Sequence, residues 1–205
     1  METLASTRRA LHGVAELVLA GPQHLVGDTV RLRVVPGGFA TTVSEDVRLD
    51  GTTVQRGSVR VQVDGATPRG LAESLGLTAR RLDDVYPDGT DVGLDESLQV
   101  DEAAAATLIA AWSAGDEALR RLEPGQVPVL WPEHFDVAIS VDEVNYGVSP
   151  GDADTPTPYA YVGPWTVPPH DDFWDRPFGA ARLISDLPDV DSVLAFFDEG
   201  RRRAR

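Results

Sequence analysis

The chain has no cysteine. Disulfides, thiolate nucleophiles and cysteine-ligated zinc are therefore excluded. It has no lysine either, and all 18 basic residues are arginine. Schiff-base and pyridoxal-lysine chemistry are excluded with it. No apolar run approaches the ~18 residues that a membrane span needs. The stretch Val14–Ala20 is interrupted by Glu16 and followed by Gly21-Pro22. Arg8-Arg9 precedes no apolar core with a small-residue cleavage site, so no leader is expected and the default location is cytoplasmic. Gly37-Gly38 and the other glycines match neither the P-loop nor the dinucleotide fingerprint, and no Gly-x-Ser-x-Gly elbow occurs. The sequence assigns no cofactor.

What is present reads as an ordinary globular chain of 205 residues, 42% apolar and 25% charged. One domain over residues 1–205 is the expectation. The net charge is −15, and it is unevenly placed: residues 81–200 carry 25 acids against 5 arginines. Such a body repels phosphate backbones, so nucleic acid is not an expected partner, and the lack of a long apolar run makes a membrane an unexpected one. The arginines of 201–205 suit the C-terminal dipole of a last helix.

Apolar spacing predicts four helices. Leu4, Leu11, Val14 and Val18 mark the first, which Gly21-Pro22 should stop. Thr67-Pro68 opens a short second one with Leu71 and Leu75, closed by Gly76. Asp101 caps the longest, with an inner stripe of Leu108, Trp112, Gly115, Leu119 and Leu122. The last follows Pro188 and buries Val193, Leu194 and Phe197.

Period-two alternation predicts strands at Thr29–Val34, Val47–Leu49, Thr52–Gln55, Ser58–Val63, Phe135–Val141, Tyr159–Val162 and Ala181–Ile184. Asp50-Gly51 is a hairpin signal. Thr29–Val34 and Ser58–Val63 should share one antiparallel sheet. Their faces of Val30, Leu32, Val34, Val59, Val61 and Val63 should lie under the Leu108/Trp112 helix, with Arg31, Arg33 and Arg60 opposite. The order is not a repeating βαβ pattern. It predicts an α+β fold: antiparallel sheet with an N-terminal helix, a long central helix and a C-terminal helix. Residues 149–158 and 163–177, rich in Pro, Gly and Asp, read as long loops.

The window Trp131–Trp174 holds three of the four tryptophans and three of the four tyrosines. Aromatic-lined loops on a sheet are where ligand pockets form. Trp131, His134, Tyr146, Tyr159, Tyr161, Trp165 and Trp174 are the candidate ligand-binding residues. They are also large enough to be plain core. Strand alternation places His134, Asp136, Ser140 and Asp142 on one face. A histidine–carboxylate pair there suits a general base, and His170 in the later loop could complete a catalytic set with His134 and Asp136. Asp84–Asp95 matches a calcium loop weakly, with Tyr86 and Pro87 out of place; a turn around Pro87-Asp88-Gly89 explains the same residues.

The segment order carries a resemblance. It runs from Leu11-His12 through Pro36-Gly37-Gly38-Phe39-Ala40-Thr41-Thr42 and the Trp112 helix. Next come Leu130-Trp131-Pro132-Glu133-His134-Phe135-Asp136-Val137-Ala138, then Ser149-Pro150-Gly151-Asp152 and Pro158-Tyr159-Ala160-Tyr161. In this the chain resembles a bacterial α+β family catalogued only as a domain of unknown function. That resemblance implies no activity, cofactor or catalytic residue. Three functional readings result. The first is a protein that binds a small organic ligand in an aromatic-lined cleft. The second is a metal-assisted or acid–base hydrolase using His134, Asp136 and His170. The third is an acidic module that docks a basic protein partner.

Overall fold

A computed structural model describes residues 2–43 and 47–205. The chain forms two compact units, Met1–Ile109 with Leu130–Phe135, and Ala110–Val129 with Asp136–Arg205. Ten antiparallel strands with N-terminal, central and C-terminal helices make the α+β fold that the segment order predicts. Among the described residues, no helix is long and apolar enough to cross a membrane.

The first unit opens with one continuous helical rod: α1 (Glu2–Gly13), a π-helical stretch (Val14–Ala20) and α2 (Gly21–Gly27). Gly21-Pro22 does not stop it. The Gly21 N–H bonds the Glu16 carbonyl, five residues back. The wider π turn moves away the carbonyl that a proline ring would strike in an α-helix. The rod ends at Asp28, left-handed at φ 49°, with its N–H on the His24 carbonyl.

Five strands follow: β1 (Leu32–Val35), β2 (Gly38–Thr41), β3 (Val47–Asp50), β4 (Thr53–Arg56) and β5 (Val59–Gln62). Then come α3 (Pro68–Ser74), the start of α4 (Glu102–Leu122) and β6 (Val129–Trp131). The strand order is β6-β1-β2-β3-β4-β5. Pro36-Gly37 closes the β1–β2 hairpin, with Gly37 at φ 85°, and Gly51-Thr52 closes the β3–β4 hairpin, one residue beyond the expected turn. Thr67 caps α3 by accepting the Gly70 N–H, and Asp101 caps α4 by accepting that of Ala104.

The expected faces hold only in part. β1 and β5 do share the sheet, and Leu32 and Val63 are buried. Val30, Val34 and Val61 are half-buried, and Val59 is 43% exposed. β5 is the edge strand, so little covers its outer half. The π-helical stretch packs on β1 and β2.

The second unit holds the rest of α4, β7 (Asp136–Val141), β8 (Val144–Ser149), β9 (Tyr159–Pro164), β10 (Ala180–Leu183) and α5 (Val190–Arg203), with strands ordered β10-β9-β8-β7. Asp142 and Glu143, left-handed at φ 51° and 63°, close the β7–β8 hairpin. Trp112, Leu119 and Leu122 are buried as predicted. At Gly115 a Cβ would lie 2.6 Å from Val148, and at Gly200 2.7 Å from Val162. Glycine lets both helices approach the same sheet face closely. Arg201 bonds the Leu122 carbonyl and Glu123. Arg203 pairs with Glu199 and Asp171.

Candidate functional site

The opposite face of the second unit's sheet carries polar and aromatic residues. Pairing of Gly147 with Tyr161 and of Ala138 with Gly147 aligns three strands there. Tyr159 and Tyr161 of β9, Asn145, Gly147 and Ser149 of β8, and Asp136 and Ser140 of β7 share that face by alternation. The Tyr161 ring lies across Gly147, and its hydroxyl donates to Asp136 Oδ2 two strands away. Burial, and then the Asp136 charge, push the Tyr161 phenol well above its ordinary range, so it stays a donor. Tyr159 donates to Asp152 at 2.6 Å. Burial first and this bond second push its phenol up to about 12.

Only glycine fits beneath that ring, because a Cβ on Gly147 would lie 2.6 Å from Tyr161. Gly147→Ala is expected to cost about 1–3 kcal/mol by overpacking and to pull the phenol off Asp136. Thermal melts against Tyr161→Phe check this. If Gly147→Ala melts like the parent chain, the ring does not hold this position.

The other predicted residues scatter. Trp165 is 67% exposed, and its indole N–H points to Asn145 Oδ1 at 3.4 Å. The same oxygen accepts the Ser140 hydroxyl at 2.6 Å. Phe178, 42% exposed, meets Tyr161 edge-on at 6.3 Å. Tyr146 points to the other face and packs on Phe197. Trp174 is buried against Phe173. Trp131 and His134 belong to the first unit, where Trp131 holds the Arg31 guanidinium over its ring at 5.5 Å.

His134 and Asp136 do not share a strand face. Phe135 is left-handed at φ 56°, which breaks the alternation, and β7 begins only at Asp136. His134 is exposed on the preceding turn while Asp136 is buried. Asp142 lies in the hairpin turn beyond β7. His170 is exposed on a loop of the second unit. Among the described residues, no group of three or more His, Asp or Glu is placed to hold a metal ion. Asp84 and Asp95, the ends of the weak calcium match, pair instead with Arg80 and Arg69.

A second polar cluster sits in the first unit, and sequence reasoning missed it. Glu16, in the π-helical stretch, is fully buried. Its Oε2 accepts the Thr90 N–H at 2.7 Å, and Gly89 packs so close that no side chain would fit there. The buried Tyr86 phenol lies close enough to Glu16 for the two side chains to interact. His12 Nε2 lies 4.0 Å from Glu16 Oε2, donates to the Pro132 carbonyl at 2.6 Å, and stacks its ring on Phe135. Burial raises the Glu16 carboxyl against the pull of the Thr90 N–H, lowers His12, and with the Glu16 charge raises Tyr86. A carboxyl raised by burial beside an imidazole lowered by burial is the kind of perturbed pair found at functional sites, where π turns also recur. The available signal was a carboxylate inside the apolar run Val14–Ala20. Comparison with protein-family models, curated proteins and solved structures finds no match to this chain.

Proposed function

We propose that the protein binds a compact, ring-bearing organic molecule on the aromatic face of its second unit. Trp165 carries this reading. Its indole is two-thirds exposed, yet its edge is held by Asn145, which Ser140 orients in turn. A large apolar ring fixed in water is pre-organised to stack on another ring, which spares part of the ordering cost of binding. Phe178 supplies a second apolar wall, propped by Tyr161 and the Asp136 anchor. Asn145 and Ser140 are the polar groups beside the indole that would orient a ligand.

The test is tryptophan emission during titration with a panel of aromatic and sugar-like metabolites. At least one should give a saturable change that disappears in Trp165→Ala and persists in Trp131→Phe. A panel without any saturable change, or a change that survives Trp165→Ala, would overturn the reading.

A further inference from the structure

The first unit contains a half-enclosed cavity of about 320 Å³, between α2 and the strands β2 to β4, that is remote in sequence from the aromatic face. This is near the small end of ligand pockets, which run roughly 300–1,000 Å³. Leu19 of the π-helical stretch and Leu77 after α3 form apolar walls, and Val26 of α2 stands at the rim. Among the described residues, three polar side chains also line it, and each bonds backbone groups. Gln23 donates to the carbonyls of Thr29 and Arg31, and its oxygen accepts from the N–H groups of Thr42 and Val43. The Thr41 hydroxyl bonds both polar groups of Val47. Arg56 donates to the carbonyls of Leu75 and Gly76.

Along the apolar walls, recognition rests on dispersion and burial rather than on new hydrogen bonds. Against those walls a polar group would lose its water without replacement partners, whereas an aliphatic one gives up almost nothing. The rim adds a second observation. Leu25 and Val26 are 63% and 79% exposed side by side at the end of α2, so the rim is apolar. An aliphatic chain entering the cavity would lie against Val26 on its way in. We propose that this cavity is a binding site for a free aliphatic chain of medium length, with any polar head left in solvent at the rim.

n-Decanol is the probe, followed by titration calorimetry on the full chain. The expected result is saturable binding of one molecule per chain. Leu77→Trp, which fills the wall, and Val26→Glu, which puts a charge on an exposed rim position without burying it, should each weaken binding at least tenfold. Trp165→Ala should leave it unchanged, so failure at the aromatic face and failure here are separate results. Absence of saturable binding up to the solubility limit would overturn the proposal. So would equal binding by the folded Val26→Glu variant, or retention by phosphatidylcholine vesicles without n-decanol binding.

Discussion

Leu32→Asp is expected to melt far below Arg33→Gln, although the two residues are neighbours on one strand. Leu32 is fully buried, paired with Thr41 on β2 and Leu130 on β6, and β1 lies under the π-helical stretch. Its replacement forfeits about 1.5–3 kcal/mol of apolar burial. It also leaves a carboxylate in the core without a partner, which costs several kcal/mol more. The sum is a large part of the ~5–15 kcal/mol that holds a domain folded. Arg33 is half-buried and donates to the Thr41 carbonyl at 3.0 Å. Glutamine keeps a donor there, so the loss should stay near 1 kcal/mol. Melts followed by circular dichroism decide it. If the two variants melt within a few degrees of each other, the inward face of β1 is misassigned.

Removal of the Glu16 side chain should come close to that in severity. Glu16→Ala strips the acceptor from the buried Thr90 N–H, which costs about 1–3 kcal/mol, and opens a void among packed residues, which adds to it. Glu16→Gln keeps the shape and the acceptor, and it isolates the charge. Burial raises the Glu16 carboxyl above its ordinary 4.5, so the folded chain holds this proton more tightly than the unfolded chain does. Its contribution to stability is complete below the unfolded value and is lost as pH rises through the folded one. Arg81 and the Thr90 N–H pull the other way, Asp83 adds to the rise, and His12 and Tyr86 face the group without an opposing charge while neutral. Denaturant melts from about pH 4 to 8 should therefore show the parent chain losing ground to Glu16→Gln as pH rises. Parallel curves for the two would mean that Glu16 carries no shifted proton.

The candidate face in the second unit was partly legible beforehand. Tyr159 and Tyr161 stand two apart in a strand pattern, and Asp136 opens another, so their facing sides could be read from alternation. Their meeting could not. It depends on Gly147 pairing with Tyr161, which leaves a gap across which the ring reaches a third strand. The expected His134–Asp136 pair failed for a local reason: one left-handed residue, Phe135, resets which way the next side chain points. Nothing in an alternating apolar pattern announces such a residue unless it is glycine, asparagine or aspartate.

Three strands escaped notice for a related cause. β2, Gly38–Thr41, is buried along its whole length, so it has no polar phase to alternate with. β6 has only three residues. β8 is broken in pattern by Asn145 and Gly147, the residues that serve the site.

By itself the sequence determined the chemistry that is unavailable, the helices with their caps at Thr67 and Asp101, the inner stripe of α4, and the antiparallel α+β class. These follow from composition and from interactions within a few residues of chain, where spacing alone sets which side chains meet. Tertiary structure decided the rest. It carried the first helix through Gly21-Pro22 by widening a turn, and buried Glu16 against a loop more than seventy residues away. It made β5 an edge, so that valines spaced for burial stand half in water. Which groups a side chain is desolvated against depends on partners distant in sequence. Those partners set whether Glu16 is a break in a helix or a buried acid, and whether Tyr161 is core or anchor.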